Sequence, residues 1–515
     1  MRPVLGIDLG TSNSVVALCQ GGKVTIIADE EGNRIHPSAV AFLPDGSVLV
    51  GAKARAGLAQ RPEQTIISAK RLIGRRHASR EVAQTKQRMG YRIVDDQGGV
   101  ALKIGGDVHT LETISALILR YLRDLAENFI GHSVRHAVIT VPAYFDDNQR
   151  QATRRAGQMV GLEVLRIVNE PTAAAFSYGY GGKRSHRIAV FDLGGGTFDV
   201  SVLELGEGAL EVLSTGGDTF LGGDDFDGLI ANQLAQAVEQ YTGRDPRQDS
   251  AAKLCLLALA EQAKCQLSEE ESFELDLSSI AGVPMKTSID RANFEAAIKP
   301  YIDRCLTLCQ KALDEGLVHV SEIDGVVLVG GSTRIPAVRR AVTRFFRRRP
   351  DEGIDADLVV GVGAAMYAEN LESPSTATSK RVLLDVTPMS LRLATVGGFC
   401  EAIIDHNSPI PTERSRLFTT ARDHQDRVSL RIYQGEDDQE DGNTLLGEFV
   451  FGPFSKALRG EVQISVTFAI DSDGLVQVTA RDLASGQAAV GCVNLGLAQE
   501  PVQQKQEDLP AAVKR

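Results

Sequence analysis

The sequence predicts a two-part chain: a long α/β portion built from two similar halves, followed by an all-β sandwich. Three observations carry this. First, a strand–glycine–strand unit occurs twice, as LGIDLGTSNSVVA (Leu5–Ala17) and IAVFDLGGGTFDV (Ile188–Val200), so that Asp8, Gly10 and Thr11 are matched in order by Asp192, Gly194 and Thr197. A repeat this widely spaced is no solenoid period; it means two similar domains, each offering a hairpin to one shared phosphate. Second, SPSTATSK (Ser373–Lys380) is a polar break with the composition of a linker. Third, the pattern beyond it turns to short alternating strands, among them RVSLRIYQG, EVQISVTFAID and GLVQVTARD, the signature of an antiparallel sandwich.

Each hairpin has chemical meaning. Glycines 194, 195 and 196 let backbone N–H groups approach an anion with no Cβ in the way. Asp8 and Asp192 stand where a strand delivers a carboxylate to the turn, a place suited to a metal ion's water shell. Turn signals at 31–33 and 44–46 mark short antiparallel strands between Val24 and Val50. Next comes the basic SAKRLIGRRH (Ser68–His77), whose Lys70 and Arg71 either reach a phosphate or form a solvated helix end. Ile114, Leu117, Ile118, Tyr121, Leu122 and Leu125 fall at helical spacing within Thr113–Phe129. HAVITVPAYF reads as a buried strand stopped by Pro142, and NQRQATRRAGQMVGL as a helix ending near Gly161.

In NEPTAAA, Glu170 precedes proline and is expected to be extended ahead of the helix. It either orients a water or is a plain helix N-terminal acid. STGGDTFLGGDDFDG (Ser214–Gly228) is another glycine-dense loop. Glu261, Lys264 and Ser268 share one face of a helix expected at 251–267. DGVVLVGGSTRIP (Asp324–Pro336) is a third strand and glycine turn, whose Arg334 could stack on a base or hold a carboxylate. VVGVGAAMYAEN (Val359–Asn370) is a small-residue helix that packs closely. The apolar string Val382–Val386 must dock on something at least part of the time. The final AQEPVQQKQEDLPAAVKR is polar and broken by prolines, a disordered composition.

At 515 residues the chain holds several domains. Its net charge of −12 argues against nucleic acid as main partner. Seven scattered cysteines without a CxxC argue against a disulfide framework or zinc site. The first residues do not read as a signal peptide, and no apolar run is long enough to span a bilayer. A cytoplasmic protein without membrane contact is expected.

Taken together, GIDLGTSNSVVA, AKRLIGRR, VPAYF, NEPTAAA, FDLGGGTFDV, GDTFLGGDDFD, VGGSTRIP and VLLDVTP resemble the heat shock protein 70 chaperone family, DnaK-like type, over Gly6 to about Val493. The resemblance implies an actin-like two-lobed ATPase domain (1–372), an interdomain linker (373–386), a β-sandwich peptide-binding domain (387–497) and a disordered tail (498–515). By it, ATP or ADP sits between the lobes, with Asp8 and Asp192 positioning Mg²⁺ through water and Asp199 helping to bind K⁺. Gly10, Thr11, Ser12, Asn13, Gly194, Gly195, Gly196 and Thr197 would cradle the phosphates. Lys70 would contact the γ-phosphate and the attacking water, and Glu170 and Thr197 would assist hydrolysis. Glu261, Lys264, Ser268, Gly330, Gly331, Ser332 and Arg334 would clamp the adenosine.

By the same resemblance, Pro142 and Arg150 relay the nucleotide state, and Arg166, Asn169, Thr172 and Asp385 touch a J-domain co-chaperone. Val396 and Ala421 match an arch over a bound peptide; Leu393, Phe399, Phe418, Val428 and Leu430 match its hydrophobic cleft, although core is the default reading for apolar residues here. The sequence departs from the family at Ser12, Val396 and Phe399, and the linker's apolar run is one leucine short. Only a polar tail follows the sandwich where a helical lid is usual, so fast peptide release is expected. The implied partners are extended client polypeptides, a J-domain co-chaperone and a nucleotide exchange factor, with the chain a monomer. Two further readings compete: a small-molecule kinase of the same superfamily, and a nucleotide-binding regulatory adaptor without a coupled cycle.

Overall fold

A computed structural model describes residues 2–179, 186–206, 208–353, 355–373, 380–454 and 456–492. The polar stretch 374–379 and the tail predicted to be disordered, 498–515, lie outside the described residues.

Two mixed sheets dominate the first three-quarters of the chain. One runs in the order Glu163–Asn169, His136–Val141, Val4–Asp8, Asn13–Gln20, Lys23–Ile26. The other runs Gly325–Val329, His186–Leu193, Phe198–Leu205, Ala209–Asp218, then Val382–Val386 and Pro409–Ile410. The repeat seen in sequence is a repeat in pairing. In each sheet the strand that carries the aspartate near its end pairs antiparallel within its hairpin and parallel with a later strand on its other side.

Small residues hold the two sheets close. Helix Val359–Glu372 packs on strand Val4–Asp8 and on helix Glu170–Tyr178. A Cβ at Gly6 would collide with the backbone of Ala365, and one at Gly363 with the carbonyl of Ala173. Side chains there would force the layers apart, so the glycines serve close approach. Separate cores cover each sheet, one around Leu5, Ile7, Leu117 and Ile139, the other around Phe191, Phe198, Phe226 and Ile298.

The predicted helices form with small shifts. The first long one spans Leu111–Ile130 and is capped by the Thr110 hydroxyl, which accepts from the Thr113 N–H at 3.2 Å. The next spans Asp147–Met159 behind a capping box of Asp146 and Gln149. Two readings need correction. Glu170 is not extended: the helix begins at Glu170 itself, and Asn169 is the extended cap. Proline is tolerated at the second helical position because first-turn N–H groups have no partner within the helix to lose. Ser268 is not on the helix: Ser250–Gln266 ends at the C-cap Leu267, and Ser268 lies one residue beyond.

Beyond residue 386 two four-stranded antiparallel sheets form. One is ordered Cys400–Ile404, Leu391–Ala394, Val428–Gln434, Thr444–Phe451; the other Thr412–Thr419, Gln463–Ile470, Val476–Asp482, Ala488–Cys492. Leu391, Ile432, Leu446, Phe451, Val466, Phe468 and Val478 fill the space between them.

Candidate functional site

The site lies where the two hairpin turns meet. A Cβ on Gly195 would strike the Ser12 hydroxyl, and one on Gly196 would crowd Thr11 and Arg71. The turn of each hairpin therefore reaches the other only because the second is glycine. Gly194 closes its own turn, donating its N–H to the Thr197 carbonyl at 3.1 Å. Thr11 and Thr197 are buried, while Asn13 opens its strand in an exposed position. Helix Gly223–Thr242 starts against the same turn, with Gly223 and Asp224 donating backbone N–H groups to the Gly194 and Gly195 carbonyls at 3.0 and 2.8 Å.

Beneath the turns lies a dense buried charge cluster. Lys70, 6 % exposed, donates to Glu170, 8 % exposed, at 2.5 Å, and its ammonium stands 5.6 Å from the Phe145 ring. Lys70 is thus neither a solvated helix end nor free: a short 3₁₀ turn, Ala69–Arg71, buries it. The Thr140 hydroxyl donates to Asp8 at 3.0 Å and the Tyr144 N–H to Asp199 at 3.0 Å. Burial, and after it the charge of Glu170, pushes the Asp8 carboxyl up to about 7 and the Asp199 carboxyl to about 8. The same causes in the same order drive Asp192 well above the carboxylate range.

That electrostatic strain tests the fit of a metal. Asp8, Asp192, Asp199 and Glu170 crowd around Lys70, with Arg150 acting on Asp199 as well, and Asp199 keeps a buried oxygen with no hydrogen-bond partner. Oxygen donors under mutual repulsion suit a hard cation. Among the described residues no three metal-ligating side chains converge into a closed cage. Mg²⁺ usually keeps several waters and uses one or two carboxylates plus substrate phosphates, so the donor set fits it.

Arg71 has a different task from Lys70. It is 3 % exposed and ties one lobe to the other, donating to Asp225 at 2.9 Å and to the Gly195 carbonyl at 3.1 Å, with Asp224 at 3.2 Å. Arg88 joins the same Asp225 at 2.6 Å, Ser68 donates to Asp224 at 2.9 Å, and Arg55 pairs with Glu261 farther out. Burial opposes ionisation of Asp225, but Arg71 and Arg88 outweigh it and hold the carboxyl below its ordinary value. This latch was not read from sequence. Its signal was the pair of acids following Gly222-Gly223, read only as a glycine-dense loop.

The remaining sequence-predicted residues gather on the second lobe. The Ser332 hydroxyl donates to the Gly194 carbonyl at 2.9 Å, joining the third glycine turn to the turn at 194–197. Gly330 has φ of 81° and a Cβ there would meet the Leu193 backbone; Gly331 opens a 3₁₀ turn beside it. Lys264 is paired with Asp227 at 2.7 Å. The Ser268 hydroxyl donates to the Lys264 carbonyl at 3.3 Å. Arg334 holds carboxylates, donating to Asp355 at 2.8 Å and Asp357 at 2.6 Å. A cleft of about 460 Å³ opens between the lobes, lined among others by Thr11, Ser12, Arg55, Arg71, Asp224 and Glu261.

A second feature joins the sandwich to this machinery. Strand Val382–Val386 pairs in parallel with Ala209–Glu211 at the edge of the second sheet. Its Asp385 is buried and accepts from Asn169 at 3.0 Å and Thr172 at 3.1 Å. Asn169 in turn accepts from Arg150 at 2.7 Å, and Arg150 also donates to the Ala143 and Phe145 carbonyls just past Pro142. The sandwich adds its own contacts: Asp147 accepts the Val476 N–H at 2.8 Å, and Asp473 takes Arg154 at 3.0 Å and Arg166 at 3.3 Å. Sequence reading missed Asp147 and Asp473, since a lone aspartate names no distant partner. Burial raises Asp147 to about 7 and also lifts Asp385 and Asp473.

The predicted peptide residues do not share one environment. Leu393 and Leu430 are 1 % and 6 % exposed and lie in the sandwich core, against which Phe418 and Val428 pack. Val396 and Phe399 are 79 % and 55 % exposed, and Ala421 is exposed too.

A mixed α/β protein with a charged cleft, joined by a docked strand to a β-sandwich, is the class these features define. A family model described as Hsp70 protein matches residues 4–508, and the chain belongs to the heat shock protein 70 family. Membership gives it the general character of an ATP-dependent chaperone that works on client polypeptides with co-chaperones. Among the described residues no helix is long and apolar enough to cross a membrane.

Proposed function

We propose that this chain couples ATP hydrolysis in residues 1–372 to the binding and release of extended apolar polypeptide by residues 387–497, through the linker 373–386. The observation that carries the reading is the docked strand. Asp385 sits on Asn169 and Thr172, Asn169 sits on Arg150, and Glu170, the next residue after Asn169, holds Lys70. Two hydrogen bonds and one peptide bond thus separate the linker from Lys70 in the cluster where phosphate would react.

Phosphoryl transfer asks for positioning and charge neutralisation rather than covalent catalysis by the protein. Bound Mg²⁺ would neutralise phosphate charge, and Asp8 and Asp192 would hold it through water, with Asp199 toward K⁺. The two hairpin turns would present Gly10 to Asn13 and Gly194 to Thr197 to the phosphates. Lys70 would exchange Glu170 for the γ-phosphate, which frees Glu170, with Thr197, to orient the attacking water. Lys264, Glu261, Ser268, Gly330, Gly331, Ser332 and Arg334 would line the adenosine, once Arg334 gives up part of its hold on Asp355 and Asp357. In the sandwich, the exposed Val396, Phe399 and Ala421 would contact the peptide, above a floor set by Leu393, Phe418, Val428 and Leu430.

The test is release of a fluorescent apolar peptide from the full chain with ATP and with ADP, beside Thr197→Ala. Faster release with ATP, together with loss of hydrolysis in the variant, is the expected result. Peptide release indifferent to ATP would move the reading to an uncoupled nucleotide-binding adaptor, and phosphorylation of a sugar would move it to a kinase.

A further inference from the structure

We propose that an arginine face between Arg339 and Arg349 docks a short acidic segment of a partner protein. The stretch RRAVTRFFRRR carries six arginines and no acidic residue, in a chain whose net charge is −12. Helix Pro336–Phe346 turns Val338, Val342 and Phe346 into the core. Its periodicity leaves Arg339, Arg340 and Arg344 outward, and Arg347, Arg348 and Arg349 follow just past its end; all six are exposed. Arg340 is paired with Glu295. Among the described residues no ion pair engages the guanidinium groups of Arg339, Arg344, Arg347 or Arg349.

The choice of arginine narrows the ligand. A guanidinium fork is weakly hydrated and matches a carboxylate or phosphate with two parallel hydrogen bonds, which lysine does not. Carboxylates are already held beside this face: Arg334, in the 3₁₀ turn just before the helix, donates from Nε and Nη2 to one oxygen of Asp357 and from Nη2 to Asp355. A cluster of like charges left open raises the local concentration of anionic partners and speeds their association.

Three features favour a short acidic peptide over a longer polyanion. The helix has 11 residues, roughly 16 Å at 1.5 Å per residue, the span of a few side chains rather than of a nucleic-acid groove. The chain turns acidic at once, with Asp351, Glu352, Asp355 and Asp357 beyond it, so an extended phosphate backbone would meet repulsion. Phe345 is only partly exposed and Phe346 is buried, which leaves no aromatic platform for stacking bases and no apolar wedge for a membrane.

The experiment measures binding of a fluorescein-labelled peptide of five alternating Glu and Asp residues, about 17 Å when extended, to the full chain. The comparison proteins are Arg339→Ala/Arg344→Ala/Arg347→Ala/Arg349→Ala and the milder Arg347→Ala/Arg349→Ala, whose positions lie outside the helix. ATP turnover serves as the check on folding. Expected is salt-sensitive binding that weakens by about tenfold in the quadruple variant and by less in the double variant, with turnover unchanged. Peptide affinity equal in all three proteins overturns the proposal. So does tighter, arginine-dependent binding of a single-stranded oligonucleotide of equal charge, or of phosphatidylserine vesicles, than of the peptide.

Discussion

The cleft between the lobes and the seam between linker, sandwich and ATPase sheet are both closed by buried aspartates, yet in opposite electrostatic states. In the cleft Asp225 has two arginines, and its carboxyl is held below the ordinary value. In the seam Asp147 accepts the Val476 N–H, keeps one oxygen without a partner, and is raised to about 7. A compensated buried charge is costly to separate from its partner. An under-compensated one makes the closed state cheaper to leave. The contrast suggests a cleft built to stay shut around its contents and a seam built to let go.

Removing the compensation should produce the largest effect. Arg71→Ala leaves Asp224 and Asp225 with one arginine fewer, and we expect a loss of about 3 kcal/mol in stability with faster nucleotide loss. Urea unfolding followed by fluorescence measures it; a change below about 1 kcal/mol would mean the latch is ordinary surface pairing.

Asp385→Ala comes next. It strands the Asn169 amide and the Thr172 hydroxyl in a buried seam, worth about 2 kcal/mol, or roughly thirtyfold in docking. Protease cleavage near residue 380 in ATP should rise accordingly while ATP affinity holds. Unchanged cleavage would show that Asp385 is not what secures the strand.

The pH response of the seam is smaller. Asp147 binds a proton more readily when docked, about 7 against an ordinary 3.8, so docking is favoured below the ordinary value and loses ground as pH rises toward 7. Between pH 6 and pH 8 the docking constant should fall about tenfold. Asp147→Asn should flatten that dependence. The raised carboxyls of Asp385 and Asp473 act with the same sign. Linker cleavage that is flat with pH in the parent chain, or still pH-dependent in Asp147→Asn, counts against Asp147 as the main titrating group.

Smallest of all, Arg334→Ala breaks exposed pairs with Asp355 and Asp357 and should cost stability less than about 1 kcal/mol. Its effect should instead appear in nucleotide affinity. A melting loss with unaltered affinity would make Arg334 structural.

The fold was legible where chemistry is local. The repeated Asp–Gly–Thr hairpins, the small-residue helix at 359–372 and the alternating strands past 386 each announce themselves in a few consecutive residues. Asp8, Lys70, Glu170 and Asp192, singled out in the sequence, do stand together in one buried cluster, but the distribution of charge around them was not legible. Lys70 and Arg71 are neighbours in one basic run, and sequence gave no reason to send one to Glu170 and the other across the cleft to Asp225. Glu170 was misjudged because the rule for residues before proline yields at a helix's first turn. Asp147 and Asp473 were invisible because their partners are contributed by a separate sheet.

The docked strand has one more consequence. Ala209–Asp218 would be the outer strand of its sheet without Val382–Val386 beside it. An uncovered edge displays a row of unsatisfied amides and is a template for any extended chain. Were the linker to leave, it would bare a surface on which stray polypeptide could pair and propagate. While it stays docked, the strand is therefore also a guard against self-association.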